Sequence, residues 1–325
     1  MTSKERTKKR LCCWLAWVLA VSLSGCMVIG ISSCGDLPGR FERTEQSSAP
    51  LETGLLVVAQ THNGSITVRD TQSQQCFVEA RIKVRARTDE LAQQIAQQIE
   101  IKLDQAPGKL TIRLEKPKQQ SEKYHVTVDY DIKIPRENSL QLASHNGNID
   151  VSHIAGDVKG TTHNGLINAK DISGNVELQS YNGHVSCQSI GGRAKLTTHN
   201  GRVKLAEADS SCHIRTYNGS VHCHAICGDA DIETHNGSIK VVYDPHADPA
   251  PNVRLTTYNN NIDLTPPADL SATVELATYN GTINSDLPVV VQGPLARRTL
   301  NGTIGTGQGR LHLATHNGSV HLGRQ

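Results

Sequence analysis

The residues best placed to do chemistry fall into two sets. The first is a tetrapeptide that recurs as Thr61-His62-Asn63-Gly64, Ser144-His145-Asn146-Gly147, Thr162-His163-Asn164-Gly165, Ser180-Tyr181-Asn182-Gly183, Thr198-His199-Asn200-Gly201, Thr216-Tyr217-Asn218-Gly219 and Thr234-His235-Asn236-Gly237. A row of His145, His163, Tyr181, His199, Tyr217 and His235 could contact a ligand by stacking on sugar rings, or hold a divalent metal between His145 and His163. The structural account is the stronger one: flat side chains stack well at strand spacing and shield a turn. Of the two ligands, a glycan comes ahead of a metal.

The second set is Cys212-His213, His222-Cys223-His224 and Cys227. Zinc sites pair Cys-x₂₋₄-Cys with His-x₃₋₅-His, and this spacing does not. Cys212 and Cys223 stand where neighbouring units carry Val, Ala or Leu, so they read as buried core thiols. A Cys223–Cys227 disulfide and a metal site are the lesser alternatives. No metal and no cofactor are assigned.

No catalytic residue is assigned either. Asp157, Glu177, Glu207, Asp231 and Glu233 do not recur as a pair on one strand, as acid/base chemistry on a polysaccharide would require. Nucleophile elbow, phosphate loop and His-Glu-x-x-His motifs are missing from the sequence. A carbohydrate-active β-helix enzyme, lyase or hydrolase, is the rival reading, and a pocket of converging carboxylates would favour it.

The elements that position these residues follow from the period. From Asn146 to Asn236 the asparagines fall every 18 residues, with later copies at Asn259, Asn280, Asn301 and Asn317. Within a unit, Val176, Leu178 and Ser180 share one face and Glu177, Gln179 and Tyr181 the other, which means short half-buried strands. Each unit then holds two strands, an Asn-Gly corner and a second corner near Gly156, Gly174, Gly192 or Gly228. Asn-Gly is also a hairpin signal. Recurrence of like residues at one place per period favours rung-on-rung stacking, hence an all-β parallel β-solenoid with rungs of about 18 residues. The Asn-Gly pairs at 146–147, 164–165, 182–183, 200–201, 218–219 and 236–237 are assigned as structural turns. Glycine is expected to serve a positive-φ corner, and the stacked asparagine amides to bond from rung to rung.

Together, these rungs resemble the bacterial putative-adhesin family of β-strand-repeat, domain-of-unknown-function proteins. The resemblance covers most of residues 51–325 and extends to an early rung, an α+β insert and a strand ending in Ile134-Pro135. It implies a right-handed, single-stranded parallel β-helix, an extracytoplasmic location and a surface or scaffold role, with no catalysis.

Lys4, Arg6, Lys8, Lys9 and Arg10 precede an apolar run from Leu11 to Ser22, the layout of an export signal over residues 1–25. Leu23-Ser24-Gly25-Cys26 resembles a lipobox and makes Cys26 the lipid attachment site. Ile31-Ser32-Ser33-Cys34 makes Cys34 the alternative, and an uncleaved helix over 11–33 is a third reading. Residues 26–50 read as a tether, 51–68 as a first rung, 69–137 as an α+β cap with a helix capped by Thr88, and 138–325 as the solenoid.

Removing residues 1–25 takes the formal charge from +2 to −2, which lacks the basic excess of a nucleic-acid binder. Expected partners are a membrane through the lipid anchor and an envelope glycan or protein, with no nucleic acid, for a monomeric cell-envelope protein. Aromatic residues are only 3% of the chain, so the core is expected to be aliphatic with its rings outside.

Overall fold

The computed structural model describes residues 37–116, 123–292 and 297–325. The proposed lipidation sites Cys26 and Cys34, the signal and the 11–33 helix lie outside the described residues.

Repetition of the corner builds two sheets. β1 (Gly39–Pro50), β2 (Leu56–Gln60) and β3 (Ile66–Asp70) lead into β4 (Gln75–Ala86), α1 (Asp89–Gln97), β5 (Glu100–Ala106), β6 (Lys109–Glu115) and β7 (His125–Ile134). The repeats then begin with β8 (Ser139–Ala143) and β9 (Ile149–Ile154), one strand in each sheet. Pairing is parallel and joins residues 18 apart: Val158 with Val176 in one sheet, Ile167 with Val185 in the other. Asn-Gly hairpins would pair antiparallel, so the tetrapeptide marks stacked corners. Between the sheets lie Val176, Leu178, Val185, Ile190, Leu196, Val203 and their equivalents, all buried.

Of the corner glycines, Gly64 has the expected positive φ, 127°, and the six that follow work differently. At Gly147, Gly165, Gly183, Gly201, Gly219 and Gly237 φ is not positive. Instead, a Cβ on Gly183 would sit 1.6 Å from the Gly165 carbonyl oxygen of the rung below, and one on Gly219 1.7 Å from that of Gly201. Glycine is required by close approach. Positive φ appears at non-glycine residues on the way to the second corner: His153, Asp171, Ser189, Glu207 and Ala225, with φ between 51 and 60°. The turn they make aims the next residue, Ile154, Ile172, Ile190, Ala208 or Ile226, into the core. Asn260, standing where other copies have glycine, reaches φ 108°.

Residues 39–50 are a strand rather than tether. β1 pairs antiparallel with β4 over its full length. Its composition hides this, because the residues facing α1 include Arg43 and Glu45. Arg43 Nε donates to the Ala96 carbonyl at 2.9 Å and its Nη2 to that of Ile99, while the Ile101 amide donates to Glu45 Oε1 at 3.1 Å. α1 has no basic residue in its last turn, and Arg43 supplies the missing cation from another element. Its start is as read: the Leu91 amide donates to the Thr88 hydroxyl at 3.2 Å. β7 adds to one sheet beside β3 and β6 to the other beside β2.

At the other end the chain departs from sequence order. Strand Gly309–Asn317 lies between Asn252–Asn259 and Ala272–Thr278, and Val320–Leu322 lies between Ile262–Thr265 and Ile283–Ser285. The last rung is thus inserted between two earlier ones. Asn301-Gly302 is no rung corner. It sits in strand Thr299–Ile304, which runs antiparallel to Ala272–Thr278. Two rings are also inside, contrary to expectation: Tyr130 and Tyr243 are each 1% exposed, the latter donating its hydroxyl to the Gly228 carbonyl at 3.0 Å.

These backbone roles predict opposite outcomes for two small substitutions. Gly183→Ala forces the Gly165 carbonyl away and is expected to cost about 3 kcal/mol or more. Ala225→Gly relieves a left-handed alanine and is expected to add up to about 1 kcal/mol. Urea unfolding midpoints check both.

Candidate functional site

Each position of the tetrapeptide has one task at the corner. The Ser/Thr is buried; Thr198 Oγ1 donates to the Gly183 carbonyl of the preceding rung at 3.0 Å and accepts from its own Gly201 amide at 3.1 Å. The same bridge recurs at Thr162, Ser180 and Thr216. Asparagine side chains form a continuous file. Nδ2 of Asn146 donates to Oδ1 of Asn63, Asn164 to Asn146, Asn182 to Asn164, Asn200 to Asn182, Asn218 to Asn200 and Asn236 to Asn218, all at 2.7–2.8 Å. Asn259, Asn317 and Asn280 continue it in spatial order. Every amide points the same way, so the bonds polarise one another.

The His/Tyr positions form a second file beside it. His62, His145, His163, Tyr181, His199, Tyr217, His235, Tyr258, His316 and Tyr279 stack with centroids 4.6–5.0 Å apart. Most neighbours are within 24° of parallel. His199 alone is turned, at 88° to Tyr181 and 87° to Tyr217. Its Nδ1 is buried and meets no hydrogen-bond partner among the described residues. The Arg298 guanidinium lies 5.1 Å over the ring of Tyr279 and closes the file.

This geometry revises the expected chemistry. Where the rings stack in parallel, their faces are covered by neighbouring rings and leave edges for a ligand; His199, turned across the file, is the exception, its faces not covered by Tyr181 or Tyr217. Tyr181 and Tyr217 are 46% and 48% exposed. Two imidazole nitrogens on one zinc lie at most about 4.2 Å apart, given Zn–N bonds of about 2.0–2.1 Å. His145 and His163 stack with centroids 4.8 Å apart and planes 24° from parallel, and since imidazole lone pairs lie in the ring plane, theirs run nearly parallel and do not aim at an ion between the rings. Among the described residues no group of three or more His, Cys, Asp or Glu could hold a metal. Beside the file, Gln179, Thr197, Arg215 and Glu233 line a groove of about 500 Å³.

The Cys/His set is dispersed. Cys212 and Cys223 point into the core from opposite sheets, and His213, His222 and His224 point outward. All five described cysteines, Cys227 included, are free, so the Cys223–Cys227 disulfide is not formed. A hydrogen bond with Cys212, together with burial, holds the Cys223 thiol well above the usual range, and burial pushes Cys187 up to about 12. These thiols stay protonated and inert.

Carboxylates do line grooves on the outer face. Asp229, Asp231 and Glu275 share one: Asp231 and Glu275 are three rungs apart, about 14 Å at strand spacing, whereas Asp229 and Asp231 stand two residues apart along the chain, about 7 Å. Glycoside hydrolysis with inversion needs about 6.5–9.5 Å. Each also has a partner: Asp229 accepts from the Asn252 amide, Asp231 from His213 and Glu275 from His312.

The fold and corner define a two-sheet parallel β-solenoid whose side chains stack in files. The chain belongs to the Toastrack DUF4097 family, which it matches over residues 56–323. The family resemblance read from the Asn-Gly rungs is thereby established. No curated protein matches it. Among solved structures it is similar to a putative adhesin from Parabacteroides merdae, at 10% identity and TM-score 0.46, over 86% of this chain and 96% of that one. Similar too are putative adhesins from Parabacteroides distasonis (9% identity, TM-score 0.43, 88% and 98% covered) and Bacteroides fragilis (10%, 0.30, 86% and 96%).

Two predictions follow from the site. Asn182→Ala removes both of its amide bonds in the file and is expected to cost about 2 kcal/mol, read from denaturant unfolding. Burial, then Arg202, Lys240 and Lys204, depress the pKa of His222 below the ordinary histidine range. The folded state therefore holds fewer protons there than the unfolded chain. Stability is unaffected above that range and is lost as pH falls through it. NMR titration should show the depressed value, and Lys240→Gln should raise it.

Proposed function

We propose that this protein is a non-enzymatic lipoprotein of the bacterial cell envelope whose solenoid, a right-handed single-stranded β-helix, serves as an adhesion or scaffold module. Cys26 carries the lipid, with Cys34 the alternative, and the insert 69–137 caps the stack. The partner is an envelope glycan or protein; the module works as a monomer and does not engage nucleic acid. The observation that supports this reading is the unbroken corner file, a line of tyrosine and histidine rings at nearly constant pitch along one side of the coil, edge-outward except at the turned His199. Such a line offers hydrogen-bonding groups to an extended partner at reduced ordering cost, since each ring is already packed against its neighbours.

Capture of envelope glycans and proteins by the full chain, compared with a variant carrying His145→Ala, His163→Ala, Tyr181→Ala and His199→Ala, tests the reading. The variant is expected to retain at least about tenfold less material while still folded by circular dichroism. Equal capture by both proteins overturns it.

A further inference from the structure

Several charged side chains on the outside of the sheet containing Val158–Thr162 are neutralised from rung to rung: Glu177 lies 3.0 Å from both Lys159 and Lys195, and Arg215 is 3.7 Å from Glu233. His213 and His312 hydrogen-bond Asp231 and Glu275 at 2.9 and 3.1 Å. One groove of about 770 Å³ breaks this habit. Its carboxylates Asp229, Asp231 and Glu275 are hydrogen-bonded to the Asn252 amide, His213 and His312 and keep their charge. The guanidinium groups of Arg193, Arg254 and Arg310, all exposed, form no ion pair among the described residues.

Their placement indicates the ligand. Asn252 is the register partner of Arg310 and Arg254 that of His312, so Arg254 and Arg310 are diagonal neighbours, about 7–8 Å apart. Arg193 lies on the far side of the groove, three rungs from Arg254 and about 14 Å away along the axis. Cations that converge on one point suit a phosphate dianion. Here the cations are strung out along the stack, which suits a chain of separate monoanions. Guanidinium forks match carboxylates in bidentate fashion. Between them Ser211, His213 and Asn252 present groups that hydrogen-bond hydroxyls.

We propose that this groove binds an acidic polysaccharide, holding its uronate carboxylates on Arg193, Arg254 and Arg310. The site is separate from the His/Tyr file and does not depend on its function.

The test is titration of the full chain in detergent with a galacturonate oligomer, a neutral galactose oligomer and inorganic polyphosphate. Saturable binding of the galacturonate oligomer is expected, weakened by salt, with no binding of the neutral one. The double variant Arg254→Gln, Arg310→Gln should lose at least about tenfold in affinity with an unchanged melting temperature. The four-alanine variant of the corner file should bind as the parent does, which separates this site from the corner. Absent galacturonate binding, affinity untouched by the double variant, or equal binding of polyphosphate overturns the proposal.

Discussion

The distance between stacked strands, about 4.8 Å, governs every residue of the repeated corner. Asparagine amides reach one another at that spacing and continue the hydrogen bonding of the sheets around the turn. Imidazole and phenol rings fill it with centroids 4.6–5.0 Å apart. The hydroxyl of Ser or Thr ties one rung's glycine carbonyl to the next rung's glycine amide. Glycine serves most corners because a Cβ there would meet the carbonyl of the preceding corner, and Asn260, the exception, adopts φ 108°. The four residues are one solution to one constraint, and a change at any of them is felt by both neighbouring rungs.

The same constraint decides what the surface can offer. Rings committed to one another present edges, so recognition at the corner is by hydrogen bonding along a line. On the flat faces, repetition brings like positions together, and sign alternation between rungs is what keeps them neutral. Where it fails the consequences are local: the Arg254–Arg310 neighbours on one sheet, and on the other the depressed histidine between Lys204 and Lys240.

Much of this was legible in the sequence. The 18-residue spacing of the asparagines gave the stacking, alternation gave the inward faces, and Thr88 with Asp89 and Glu90 gave the helix start. What was not legible came from partners distant in sequence. β1 looks like a polar linker until Arg43 is seen to serve helix carbonyls more than fifty residues away. The left-handed residues His153, Asp171, Ser189, Glu207 and Ala225 share a position but no residue type, because the turn is imposed by the core residue that follows rather than chosen by propensity. Asn301-Gly302 carries the local signal of a corner and yet lies in a strand antiparallel to Ala272–Thr278, whose other side is paired with Gly309–Asn317. The edge-on row could not be read either, because alternation places a side chain outside without fixing its ring plane.

That inserted rung has a consequence for how the molecule is made. A stack whose layers follow sequence order can close layer by layer as the ribosome delivers it. Here Asn252–Asn259 and Ala272–Thr278 cannot meet their final neighbours until Gly309–Asn317 has been synthesised. The amide file likewise stays broken between Asn259 and Asn280 until Asn317 enters. Synthesis of Gly309–Asn317 is therefore the step that locks the coil, because until then one edge of Asn252–Asn259 and one of Ala272–Thr278 lack the strand that pairs with both.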